Sequence, residues 1–92
     1  MKIIKKKATK EDLERLNVKS WPTWTSDVQK FDWTYSDTET CYFLDGKVIV
    51  MTDEGDIEIE KGDLVQFPKG LSCTWDVKEP VRKHYNFGDI EI

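Results

Sequence analysis

The stretch ETCYFLDGKVIVMTDEGDIEIEKGDLVQFPKG, Glu39 to Gly70, decides what kind of fold this chain can form. Short runs rich in β-branched and aromatic residues alternate with turn residues, and no run has the length or period of a helix. Asp45-Gly46, Glu54-Gly55, Lys61-Gly62 and Pro68-Lys69-Gly70 punctuate it. Asp-Gly between two strand-like runs is a strong hairpin signal. The same texture continues outward, with FDWTY (31–35) before it and SCTWDV (72–77) and VRKHYNF (81–87) after it, the last two separated by Glu79-Pro80. Many short strands without intervening helices predict a sandwich or barrel.

Alternation assigns the faces. Glu39, Cys41 and Phe43 share one face, as do Val48 and Val50, Ile57 and Ile59, and Cys73, Trp75 and Val77. In 81–87, Val81, Lys83, Tyr85 and Phe87 lie opposite Arg82, His84 and Asn86. The apolar set faces the core, which brings a carboxylate, two thiols and a lysine inward with it. Ile49 and Met51, on the opposite face, are apolar too, so both faces of that strand are expected to be covered, the second by the helix or by a second subunit.

The N-terminal part differs. KIIKK (2–6) reads as a short strand and ATKEDLERLN (8–17) as a short helix. Thr9 is its candidate N-cap, with Asp12 at capping-box spacing. Leu13 and Leu16 share a face of it. Trp21-Pro22-Thr23-Trp24 is a stiff segment, expected to lie across an opening or between subunits.

Size and charge bound the rest. At 92 residues one domain, 1–92, is expected, with a barrel from about residue 21. A domain this small buries only ~60% of the surface of its unfolded chain, so the core needs the large side chains that four Trp, four Phe and three Tyr provide. A net charge of -4 and a pI near 4.9 argue against nucleic acid as a partner. Lys5-Lys6-Lys7 has no interleaved aromatics and reads as a solvated arm. No apolar run approaches a membrane span, and the first residues lack a signal-peptide pattern. A cytoplasmic protein with no membrane partner is expected, its Cys41 and Cys73 free thiols.

ETCYFLDG, GDLVQFPKGLSCTW and PVRKHYNF together resemble the small single-domain cupins, in the branch related to ureidoglycine aminohydrolase and the ethanolamine-utilisation cupins. The likeness runs from about Trp21 to Phe87. It implies a conical jelly-roll barrel of about ten strands with the site inside its wide mouth. The first cupin motif, G-x5-H-x-H-x3-4-E-x6-G, keeps Glu39 and Gly46, but Trp33 and Tyr35 stand in place of its histidines and Asp27 in place of its first glycine. The second, G-x5-P-x-G-x2-H-x3-N, keeps Gly62, Pro68 and Gly70, with Cys73 for the histidine and Val77 for the asparagine. Glu39 and Cys73 alone fall short of the three or four protein ligands of a zinc site, and loss of imidazole weakens Mn or Fe most. No metal and no other cofactor is expected.

The resemblance makes Glu39, Lys83 and Cys73 the candidate catalytic residues. Glu39 is the acid or base, or simply a carboxylate that pairs with a cation. Lys83 is its inward partner and substrate anchor, or a surface lysine. Cys73 is an auxiliary thiol activated by Lys83, or a small buried hydrophobe. Trp33, Tyr35, Cys41, Trp75 and Tyr85 are candidate substrate-binding walls, each also explicable as core. His84 is read as structural. Three functions follow: a metal-independent or weakly metal-dependent enzyme acting on a small polar metabolite, a non-catalytic small-molecule sensor, or a structural homodimer with a plugged barrel. A homodimer is expected in all three, because it would cover the second apolar face.

Overall fold

The computed structural model describes all 92 residues, Met1–Ile92. Its strands are β1 (Ile4–Lys7), β2 (Thr23–Ser26), β3 (Lys30–Thr34), β4 (Glu39–Thr52), β5 (Gly55–Glu60), β6 (Asp63–Phe67) and β7 (Ser72–Phe87), with one helix, α1 (Lys10–Arg15), and a single 3₁₀ turn at Val18–Ser20. β4 and β7 pair antiparallel along most of their length, Glu39 opposite Phe87 at one end and Met51 opposite Thr74 at the other. Each half of this long ribbon acquires its own flanks. At the Glu39 end the order is β1-β6-β4-β7-β2, while β5 pairs with the other half of β4 and β3 with the other half of β7.

The ribbon folds over at its middle. The β4–β7 register shifts between Phe43 and Val48, so the inner faces of the two halves turn toward each other. Cys41, Phe43, Val65 and Phe67 from one half meet Val48, Val50, Ile59, Trp75 and Val77 from the other in one buried cluster. Such doubling of an antiparallel sheet is the jelly-roll arrangement.

The count of about ten strands is thereby corrected to seven. Asp45-Gly46 and Glu79-Pro80 do not form turns: they lie inside β4 and β7 and face each other, Asp45 opposite Arg82 and Lys47 opposite Glu79. They build a bulge in place of a hairpin. Gly46 has φ +95°, and a Cβ there would lie 2.8 Å from Val81 Cα and closer still to the Pro80 carbonyl oxygen. The glycine lets two backbones approach, a use of strand glycines distinct from turning. Residues 21–24 are not merely a covering segment: from Thr23 they form β2, an edge strand with Trp24 opposite Lys83.

The helix keeps its predicted cap. The Asp12 backbone N–H donates to Thr9 Oγ1 at 3.1 Å and the Thr9 N–H donates to Asp12 Oδ2 at 3.0 Å. The Thr9 backbone and the Lys6 ammonium beside that carboxylate hold the Asp12 pKa well below the usual range. β1 lies somewhat later than expected and pairs with β6. Ile49 and Met51 are half-buried, so the cover expected for this face is incomplete within a single copy of the chain. No helix is long and apolar enough to cross a membrane.

Candidate functional site

The inner face of β7 carries Val81 and Lys83 into the interior because its polar alternates, Arg82 and His84, take the outer side, where His84 Nδ1 pairs with the Trp21 carbonyl at 2.9 Å. Lys83 stands opposite Phe43 in β4, and its side chain runs along the sheet past Cys41 to Glu39. Only 5% of Lys83 and 7% of Glu39 is exposed. Lys83 Nζ donates to Glu39 Oε2 at 3.2 Å and to Cys41 Sγ at 3.1 Å, and the thiol donates to the same Oε2 at 3.4 Å. Three strand-borne groups thus close a triangle at the Glu39 end of the fold.

Rings surround the ammonium. Nζ lies 4.7 Å from the Trp75 ring centre and 5.0 Å from that of Trp24, close enough for cation–π attraction. These contacts and the Glu39 charge oppose the desolvation of the lysine. Burial pulls the Lys83 pKa down, but Cys41 and Glu39 outweigh it and the pKa is raised. The Cys41 thiol is pushed up to about 12, by burial first and against the pull of Lys83. At neutral pH the triangle is a carboxylate–ammonium pair bridged by a protonated thiol.

That thiol gives a pH dependence whose sign follows from proton counting. Between the ordinary value of 9.0 and about 12, the folded chain keeps a proton that the unfolded chain has lost. Stability is complete below pH 9 and falls as pH rises through this window, by roughly 1.4 kcal/mol per pH unit. Lys83, also raised, adds a loss in the same direction above its ordinary 10.5. Urea unfolding from about pH 8 upward is expected to show the decline, and Cys41→Ala is expected to remove the part that begins near pH 9. An unchanged slope in that variant would assign the decline to other groups.

Above the triangle lies a cavity of about 240 Å³ that opens at the mouth of the barrel. Glu39 and Lys83 form its floor; Trp24, Phe31, Tyr35 and Trp75 form its walls, and Trp33, Tyr85 and Phe87 its rim. The walls brace one another. Trp75 Nε1–H donates to the Tyr35 hydroxyl at 3.1 Å, and the Trp75 ring packs against Phe31 and edge-on against Trp24. Burial pushes the Tyr35 pKa upward, so its hydroxyl stays protonated.

The expected site residues divide into three groups. Glu39 and Lys83 come together, and Tyr35, Trp75, Trp33 and Tyr85 line the cavity, although Trp33 is 50% exposed and belongs to the rim, not the core. Cys41 is corrected as a wall: it is wholly buried behind the floor. Cys73 is corrected as the activated thiol. It pairs across strands with Trp33 and does not border the cavity, and the Lys83 ammonium hydrogen-bonds Cys41 instead. Burial raises its pKa, the opposite of activation. Register explains the exchange, since Cys41 lies on the strand that pairs with Lys83 and Cys73 lies on the far half of β7.

Trp24, Phe31 and Phe87 join the site beyond the residues that the sequence singles out. Alternation from Trp33–Tyr35 and from Lys83–Tyr85 points to Phe31 and Phe87. Nothing local points to Trp24, which only its pairing with Lys83 brings there.

The residues do not fit a cupin metal centre. Glu39 is the sole ligand type left at the motif positions beside Cys73, and its Oε2 is taken by an ammonium. No three His, Cys, Asp or Glu side chains converge anywhere in the chain.

A crystal structure of a DUF861 family protein from Thermotoga maritima is similar to this chain, with 55% identity and a TM-score of 0.91 over 95% of this chain and 100% of that one. The EutQ protein of Clostridium difficile is similar at 27% identity and TM-score 0.64, over 68% of this chain and 50% of its own. A putative EutQ of Salmonella typhimurium gives 27% and 0.63, over 68% and 51%. The chain therefore spans about half the length of these EutQ proteins. No curated protein matches it. The family model described as the EutQ-like cupin domain matches residues 13–85, nearly all of the folded sheet and its site. On the sheet topology, the retained motif positions and this match, the chain belongs to the EutQ-like cupin domain family.

Proposed function

We propose that this cupin binds a small molecule in its barrel mouth and can turn it over by acid–base chemistry without a metal. The observation that carries this reading is the buried Glu39–Lys83 pair on the floor of an aromatic-walled cavity of about 240 Å³. A cavity bordered by the carboxylate favours binding over the plugged structural alternative. Glu39 is the group that takes or returns a proton, and Lys83 pairs with it and donates hydrogen bonds. Cys41 replaces Cys73 as the thiol of the site, with a bridging role. Trp24, Tyr35, Trp75 and Tyr85 hold the ligand. Two free thiols fit a reducing, cytoplasmic setting.

A thermal-shift screen of small metabolites tests the reading. A true ligand at ~100 times its Kd stabilises the fold by about 2.7 kcal/mol, and the Trp24→Ala variant is expected to lose that shift. A screen without any hit would favour the structural alternative. Protein prepared without chelator is expected to carry no stoichiometric transition metal. One equivalent per chain, lost in Glu39→Gln, would overturn the metal-free mechanism.

The proposed homodimer rests on the outer face of β4, where Tyr42, Leu44, Ile49 and Met51 stay half-exposed. Sedimentation equilibrium is expected to give twice the chain mass; a monomer at micromolar concentration would refute it.

A further inference from the structure

Resting on the proposed binding function, we infer that the ligand of this cavity is a neutral, planar ring compound presenting an N–H or O–H donor to Glu39 Oε1. Four observations lead to it. First, the charge on the floor is already balanced. Lys83 Nζ and Glu39 Oε2 are 3.2 Å apart, and no other charged side chain borders the cavity. An anionic ligand would place a second negative charge beside Glu39, and a cationic one a second positive charge beside Lys83. Beside side chains as buried as Glu39 and Lys83, like charges at close range are strongly disfavoured.

Second, one acceptor remains open. The hydrogen bonds from Lys83 and Cys41 both go to Oε2, and Oε1 receives none. No sealed side-chain oxygen or nitrogen in the chain lacks a partner, so Oε1 is not sealed: it faces the cavity that Glu39 borders. An ionised carboxylate only accepts hydrogen bonds, so the matching ligand group is a donor. The donors of Lys83 are engaged by Glu39, by Cys41 and by the faces of Trp24 and Trp75, which leaves the carboxylate oxygen as the directional contact.

Third, the walls are flat. Seven of the nine lining residues are aromatic, and stacking or edge contacts with such rings favour a planar partner. The Trp24–Trp75 and Phe31–Trp75 contacts fix these rings against one another, so the slot is formed before a ligand arrives. Fourth, about 240 Å³ lies below the ~300–1,000 Å³ of drug-sized pockets, which limits the ligand to roughly one or two fused rings.

The test is an NMR titration of the ¹⁵N-labelled chain, following the indole Nε1–H signals. Trp24, Trp33 and Trp75 report on the cavity, and Trp21, which does not border it, serves as the internal control. The probes are indole, benzofuran (the same shape without the donor), benzoate and benzylammonium. Indole is expected to move the Trp24 and Trp75 signals and leave Trp21 in place, and to bind roughly tenfold or more tighter than each other probe, the margin of one hydrogen bond to a charged group. In a Glu39→Leu, Lys83→Met double variant, the preference for indole over benzofuran is expected to vanish. Benzofuran binding as tightly as indole, or either charged probe binding tighter, would overturn the inference while leaving a ligand-binding cavity in place. No response of Trp24 or Trp75 to any of the four would also overturn it, and the binding function itself would fall only if the metabolite screen were empty too.

Discussion

Glu39→Gln is expected to destabilise the fold by about 3–5 kcal/mol, and Lys83→Met by a similar amount. Each removes one partner of an ion pair whose two side chains are almost entirely buried, and each leaves the other charge without compensation. In Glu39→Gln the ammonium keeps the Cys41 thiol and the faces of Trp24 and Trp75, which cannot replace a carboxylate. In Lys83→Met the carboxylate keeps only the weak thiol donor. Combining the two substitutions is expected to recover part of the loss, because two neutral side chains of similar volume need no counter-charge. Urea unfolding of the four proteins gives the coupling directly, and a value of about 1–3 kcal/mol is expected for groups in contact. Small, additive effects would mean that the pair contributes nothing, and the proposed site would fail with it.

Gly46→Ala is expected to cost about 3–5 kcal/mol, while Gly62→Ala costs only about 1–2. Both glycines have φ near +90°, so the backbone penalty is shared. They differ in the space around them. A Cβ at Gly62 meets nothing within 4 Å, whereas at Gly46 it would strike the Pro80 carbonyl and the Val81 Cα. These are backbone atoms and cannot rotate away, so the bulge that folds the β4–β7 ribbon would have to open. Val81 is two residues before Lys83, so Gly46→Ala is also expected to displace the ammonium from Glu39 and weaken binding of any cavity ligand. Thermal or urea unfolding of both variants checks the contrast. Equal losses would show that the close approach at Gly46 contributes nothing beyond its φ.

The inward set was legible because strand alternation is strict over short distances. Glu39, Cys41, Lys83 and Tyr85 were all placed on the correct face from their neighbours. The Thr9–Asp12 capping box was legible for a similar reason, since its partners are three residues apart. The Asp45-Gly46 hairpin failed because a glycine at positive φ serves a turn and a bulge equally well. Which one forms depends on what lies across from it, and that is Pro80, far along the chain.

Beside the resemblance to the cupins, which rests on motif positions, composition and local pattern by themselves determined an all-β domain with a short capped helix and an aromatic core. These are consequences of period, propensity and spacing, which act between near neighbours. Only the tertiary structure decided that the thiol beside Lys83 is Cys41 and not Cys73, that Trp24 closes over the ammonium from an edge strand, and that Trp33 stands at the rim. Each of those depends on strand register and on the fold of the β4–β7 ribbon. Register between distant strands is set by the packing of the whole sheet, and no local stretch of sequence contains that information.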